Sequence, residues 1–383
     1  MAADVRDWRS AGAKQFLFTL AAYKLGFFLL AVLIVRFVPW WNQTAWRLCV
    51  HWPFSDAPDF TSHFATWDGA HYLRLASEGY TAGTNSCAFY PLWPLLIAFG
   101  SLVTRDVFWS GILLANVLSC CAFWQFYRLT EERHGEQTAR FSLVLLLAFP
   151  GAIFFNFIYT EALYLLLVVL FFRYLHRSNY VAASIVAFLL PLTKAIGIFI
   201  IVPFLWHMLE RKCAKRQFLW LCTPLVGYAM YFAVMYLHTG NALEGFEAQM
   251  NFPTKPSAEK LVDLGGALRA LFNIDSFHGT DHSLLDRICF AIMVVTLPLI
   301  WRLDKVYFAF AVFAGLIPAF SNSFWSYSRL MIVCYPVFIA MADWYQRHRE
   351  SNIFRWSTWY YLALAVVIQL WLLARHLNFI WAS

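Results

Sequence analysis

Charged residues are scarce in this chain. Asp, Glu, Lys and Arg make up 13% of its 383 residues, against about 25% in a soluble domain. A soluble core cannot hide the 61% of hydrophobic residues present, so the bilayer has to serve as solvent. Signature motifs are missing too. The eight cysteines include no CxxC and no zinc-type spacing. His51, His63, His278 and His282 share no ligand spacing that repeats on a helix face, so no metal site is expected. There is no P-loop lysine motif, no dinucleotide-binding glycine pattern and no GxSxG elbow, which leaves ATP, NAD and acyl-serine chemistry without support. The net charge is +7, but no run of consecutive basic residues marks a nucleic-acid partner.

What the chain does have is long apolar runs. The first, about 15–38, exceeds a signal-peptide core and carries Lys24 and Arg36, so it reads as a retained anchor. Further runs cover 89–104, 107–128, 138–155, 158–175, 180–193, 195–209, 218–238, 286–301, 306–320, 329–345 and 357–376. Several are shorter than the roughly 20 residues of a full crossing. Prolines such as Pro91, Pro94, Pro150, Pro191 and Pro336 interrupt them. Broken spans are tolerated where they line a cavity. If 89–104 is re-entrant and 180–193 and 195–209 are separate spans, the inner side carries the excess of Lys and Arg, with the N-terminus inside. This reading gives one domain over 1–383, all-α and membrane-integral, with about eleven spans. Two loops then share the outer side: 39–88, and the polar 239–285 with Pro253 and Pro256.

The first of these loops holds the most informative segment, Thr66-Trp67-Asp68-Gly69-Ala70-His71-Tyr72. In a helix, Asp68, His71 and Tyr72 fall on one face, because residues three and four apart are neighbours. Leu73, Leu75 and Ala76 lie largely elsewhere, which predicts a surface helix at the membrane interface. Asp68 could cap that helix. Capping does not account for His71 one turn on.

Three more charges stand out, since ionisable groups at membrane depth are costly. Glu161 opens an apolar helix just after Pro150-Gly151. There it could complement the helix dipole or take part in chemistry. Lys194 sits between two short apolar halves, either snorkelling or holding a phosphate. Arg329 lies at the outer mouth of an apolar run and could face a lipid phosphate or headgroups. Cys49 and Cys87 share one loop and could pair if it faces an oxidising side.

A carboxylate and cations around one membrane cavity fit a particular reaction. The carboxylate takes a proton from an acceptor hydroxyl. The cations neutralise a phosphate leaving group.

At these residues the sequence resembles the PIG-V-type mannosyltransferases of the GT-C glycosyltransferases. The matching blocks are Trp67-Asp68-Gly69-Ala70-His71-Tyr72 through Glu78-Gly79-Tyr80, Phe89-Tyr90-Pro91-Leu92-Trp93-Pro94-Leu95, Phe149-Pro150-Gly151-Ala152 through Tyr159-Thr160-Glu161-Ala162-Leu163, and Leu192-Thr193-Lys194-Ala195-Ile196-Gly197. A weaker late match runs from Ser328-Arg329-Leu330 to Tyr335-Pro336. The first block is the specific one; order and spacing agree over about 66–200.

The resemblance implies a polytopic GT-C fold with the essential acid in the first outer loop. It also implies mannose transfer, with inversion, from a polyprenyl- or dolichyl-phosphate donor to a glycolipid. Asp68 then corresponds to the catalytic acid, with His71 and Glu161 assisting. Lys194 and Arg329 are expected at the donor phosphate. Trp67, Tyr72, Tyr90 and Tyr159, four of the aromatic residues in the blocks, are expected to contact substrate. Thr160 stands where the family has Ser, and Lys194 where it usually has Arg, which loses the planar two-pronged contact. No cofactor is expected beyond the lipid-linked sugar, and divalent-metal dependence is left open. A lipid-phosphate flippase would use the same cations without a base, but the paired halves common in transporters are not evident. A non-catalytic membrane subunit is the third reading.

Overall fold

The computed structural model describes residues 11–252, 255, 260, 263–280, 282–321 and 324–382; Pro253 and Pro256 lie outside them. Among the described residues the only strand-like feature is one isolated bridge, between Ser276 and Ser283. Everything else regular is helical. Among the described residues, five helices are long and apolar enough to cross a membrane: Lys14–Phe37, Val107–His134, Lys215–Thr239, Leu284–Leu303 and Asn352–Leu377. They point large apolar side chains outward, among them Phe18, Leu25, Leu237 and Val295. That arrangement suits lipid and fits the all-α membrane class.

The other expected segments are shorter and broken. Leu92–Thr104 has 13 residues, about 20 Å of helix. The run 180–209 divides into Tyr180–Leu189, Ala195–Ile200 and Ile201–Glu210. The run 329–345 divides at Cys334 and Tyr335, ahead of Pro336, because proline has no N–H to continue the helical bonding and its ring crowds the preceding turn.

Helix Glu161–His176 is the centre of the molecule. It buries residues on every side, from Glu161 to Leu175, as an all-apolar helix must. It packs along Val107–His134 and Tyr180–Leu189. The turn before it, from Phe149 to Thr160, is buried throughout. Two features hold this turn. The Lys24 ammonium donates to Ser119 Oγ at 2.7 Å, Asn156 Oδ1 at 2.7 Å and the Phe155 carbonyl at 3.2 Å, which engages all three of its protons. At Gly151 an added Cβ would stand 2.5 Å from the Ser328 carbonyl oxygen. Only glycine permits that backbone-to-backbone approach.

Three expectations are corrected here. The helix over Asp68–Glu78 forms, but it is not a surface helix. Gly69, Ala70, His71, Tyr72, Leu73 and Leu75 are buried, because it packs against Leu92–Thr104 and Val107–His134. Asp68 does not cap it. The cap position is Trp67, at φ +58, and no side chain bonds there. Asp68 is the first helical residue, with its carboxylate turned to another helix. Finally, Cys49 and Cys87 are both free. Their thiols donate to different carbonyls, Trp46 and Thr81, each at 3.2 Å.

Candidate active site

Four helix ends bring four charges together. Asp68 and Glu161 each occupy the first position of a helix, where the peptide dipole favours an anion. Lys194 lies in extended backbone just before Ala195–Ile200. Arg329 is in the first turn of helix Tyr327–Val333. Arg329 Nη1 donates to Asp68 Oδ2 at 2.6 Å. Its Nε lies 3.1 Å from Glu161 Oε1, and the same oxygen accepts from Lys194 Nζ at 2.6 Å. The result is a neutral chain of charges, Asp68–Arg329–Glu161–Lys194.

The four are not equally accessible. The side chains of Asp68, Arg329 and Lys194 are 16%, 15% and 17% exposed, whereas Glu161 is at 0%. Glu161 is sealed behind both cations, and its Oε2 has no partner. Arg329 is further held from below by aromatic rings. Its guanidinium sits 5.2 Å from the Tyr159 ring centre and 5.7 Å from that of Phe154, a cation–π arrangement. Among the described residues neither Asp68 Oδ1 nor Arg329 Nη2 has a protein partner.

Those free edges meet open space. A cavity of about 480 Å³ is lined by Trp67, Asp68, His71, Phe89, Gln249, Phe252, Trp325, Arg329, Lys194 and Trp381, with others. A second, of about 240 Å³, is lined by Asp68, Tyr72, Phe89, Tyr90, Thr193, Lys194, Arg329 and Leu330, with others. Asp68, Phe89, Lys194 and Arg329 belong to both walls. Asp68, Arg329 and Lys194 therefore stand where the two cavities adjoin, with Glu161 behind them.

His71 is near but does not bond to Asp68. Its Nδ1 lies 3.0 Å from Ser86 Oγ, and its ring stacks on Phe89 at 4.5 Å. Burial pushes the imidazole down to about 4, against the pull of the Asp68 charge. It is neutral at physiological pH and lines the larger cavity. Tyr72 and Tyr90 line the smaller one, and Tyr90 stacks on Tyr231 at 4.5 Å. Tyr159 borders neither. It lies under Arg329, with its hydroxyl donating to the Thr66 carbonyl at 3.4 Å.

Two wall residues were not expected from the sequence. Trp381 meets Trp67 edge-on at 5.1 Å and lies 5.2 Å from Trp325. Together they give the larger cavity an aromatic wall. Trp325 falls one turn before Arg329, which is a weak hint. Trp381 lies 314 positions beyond Trp67, where no local pattern reaches. No three His, Cys, Asp or Glu side chains among the described residues are grouped as metal ligands.

No protein-family profile matches the chain, and no curated protein matches it. Solved structures do. The chain is similar to ArnT from Cupriavidus metallidurans bound to undecaprenyl phosphate, with TM-score 0.41 and 15% identity over 83% of this chain and 60% of that one. It is similar to the apo oligosaccharyltransferase of Archaeoglobus fulgidus, with TM-score 0.48 and 14% identity over 96% and 56%. It is also similar to AglB from Archaeoglobus fulgidus in complex with an inhibitory peptide and a dolichol-phosphate, with TM-score 0.47 and 12% identity over 98% and 57%. The chain thus spans less than two thirds of the length of these proteins. The family resemblance rests on the sequence blocks.

Proposed function

We propose that this chain is a GT-C glycosyltransferase. It moves a sugar, mannose by the sequence resemblance, from a polyprenyl- or dolichyl-phosphate carrier to the hydroxyl of a lipid-linked or glycolipid acceptor. The site faces the outer side of the membrane. One observation carries the reading: a carboxylate with a free oxygen and two cations share the walls of two adjoining cavities.

In this scheme the acceptor oxygen attacks the anomeric carbon and its proton passes to Asp68 Oδ1. The bond from that carbon to the phosphate oxygen breaks, and the electron pair leaves with the lipid phosphate. The phosphate gains a negative charge as it leaves. Arg329 Nη2 and Lys194 Nζ take up that charge in this scheme. Base and leaving group on opposite sides of the sugar give inversion. Glu161, sealed behind the cations, acts on them rather than on substrate: it fixes Arg329 and Lys194 side by side. His71, neutral and held by Ser86, shapes the wall beside the base. Trp67, Tyr72 and Tyr90 line the space for substrate, and Tyr159 supports Arg329.

The test is transfer of radiolabelled mannose from polyprenyl-phosphate mannose by the purified protein in lipid nanodiscs, with a lipid-linked acceptor. Full transfer by Asp68→Asn removes the base assignment. Lipid-phosphate translocation without sugar transfer, unchanged in Asp68→Asn, restores the flippase reading.

A further inference from the structure

Arg329 is the hub of the charge chain, yet the helix that carries it is short and poorly capped from within. Tyr327–Val333 has seven residues, and its cap residue Ser326 stands in left-handed backbone (φ +57) with no capping bond from its own side chain. The first amides of a helix have no partner inside it, so something else must satisfy them. At Ser328 that partner comes from another helix. The Ser328 N–H donates to Asp286 Oδ1 at 2.8 Å, across 42 positions of sequence.

Asp286 is in the first turn of helix Leu284–Leu303 and is 1% exposed. It lines neither cavity. Its other oxygen lies 3.6 Å from His278 Nδ1, and that nitrogen lies 3.1 Å from Ser283 Oγ. Ser283 in turn accepts the Asp286 N–H at 3.3 Å. The 3.6 Å approach to His278 is too long for a hydrogen bond, so the carboxylate is held through Oδ1, while Ser283 fixes the backbone that carries it. On the far side of Ser328, its carbonyl abuts Gly151 with no room for a Cβ. The backbone one residue before Arg329 is pinned between a buried carboxylate and a glycine.

A buried charge is costly unless it is well paired. A neutral side chain could cap one amide without that cost. What a carboxylate adds is a shorter, stronger bond, which matters where small displacements matter. We infer that Asp286 is a positioning residue for Arg329: it fixes the helix from which the guanidinium reaches both Asp68 and the lipid-linked phosphate. The inference rests on the phosphate-holding role proposed for Arg329. It adds the second outer loop, through Ser283, to the supports of the site.

The experiment compares Asp286→Asn, which keeps an acceptor oxygen, with Asp286→Ala, which removes it. Two readouts are taken on purified protein in detergent: hydrogen exchange of peptides containing Ser328, and binding of undecaprenyl phosphate. Misplacing a contact by about 1 Å can cost up to about 100-fold. Asp286→Ala is expected to speed exchange at Ser328 and weaken phosphate binding about tenfold, with Asp286→Asn, a weaker neutral acceptor, falling between it and wild type in both. If Asp286→Ala does not fold, Asp286→Ser serves, as a polar side chain too short to reach. Unchanged exchange in the variant lacking the acceptor overturns the tether. Faster exchange with wild-type phosphate affinity, while Arg329→Ala loses binding, overturns the positioning role. If the wild-type protein binds no lipid phosphate, the proposed function fails, and the exchange data still decide the tether.

Discussion

Arg329 Nη1 lies 2.6 Å from Asp68 Oδ2, although 261 positions of sequence separate the two residues. The guanidinium pairs with Asp68 and Glu161 and retains one free N–H edge. The candidate base and the candidate phosphate ligand are thus mechanically joined. A ligand that pulls on Arg329 also acts on Asp68.

Asp68→Asn should abolish sugar transfer while leaving donor binding. The amide keeps the shape of the carboxylate and cannot take the proton. A positioned base contributes about 10²–10⁴-fold, so the rate should fall by about that factor. Single-turnover rates at saturating donor, beside a direct measurement of polyprenyl-phosphate affinity, check it.

Arg329→Lys should cost more than a conservative change normally does. A lysine presents a compact point charge and lacks the planar fork whose separate nitrogens meet Asp68 and Glu161 and leave a third free. The ratio kcat/KM is expected to drop about 10- to 100-fold. Arg329→Met should lower thermal stability strongly as well. It leaves the buried Glu161 with one cation and Asp68 with none, and breaking such pairs costs about 3–5 kcal/mol. Differential scanning fluorimetry in detergent separates the two effects.

The imidazole of His71 carries a pH signature. Its ordinary value of 6.5 is pushed down to about 4 by burial. Between those values the unfolded chain binds a proton that the folded chain refuses, so stability falls as pH drops. The contribution is complete above about 6.5 and is lost progressively toward pH 4. Tm followed from about pH 7.5 to about pH 4.5 should decline, and His71→Gln should flatten part of that decline. A slope unchanged by His71→Gln would count against the neutral buried imidazole.

Gly151→Ala tests the close approach behind Arg329. The new methyl would meet backbone atoms of Ser328, at 2.5 Å from its oxygen and 3.0 Å from its carbon, and backbone cannot rotate aside. Overpacking of this kind costs about 1–3 kcal/mol. The helix Tyr327–Val333 would have to shift, so transfer activity should fall together with Tm. Gly26, where an added methyl would meet nothing within 4 Å, is the control: Gly26→Ala should not lower Tm.

A good part of this is legible along the chain. Apolar runs mark helices that need lipid, because burial of so much apolar surface depends on composition and length more than on partners. Asp68, Glu161, Lys194 and Arg329 stand out for the same reason: a charge in an apolar setting is costly and has to be answered. The breaks at Pro150, Pro191 and Pro336 follow from proline chemistry. The surface placement of Asp68–Glu78 and the capping role of Asp68 fail because both rest on the segment's own periodicity. Leu73 and Leu75 find neighbours on other helices, and the Asp68 carboxylate finds a cation there.

The sequence by itself determined that this is a helical membrane protein with four charges in costly places, because those facts follow from local composition and side-chain chemistry. Only the tertiary structure decided which charge answers which. It set Asp68 against Arg329, sealed Glu161 behind two cations, brought Trp381 to Trp67 and capped Ser328 with Asp286. Such pairings depend on how helices distant in sequence pack, and the strength of a contact depends on the distance it closes, not on the length of chain between its partners.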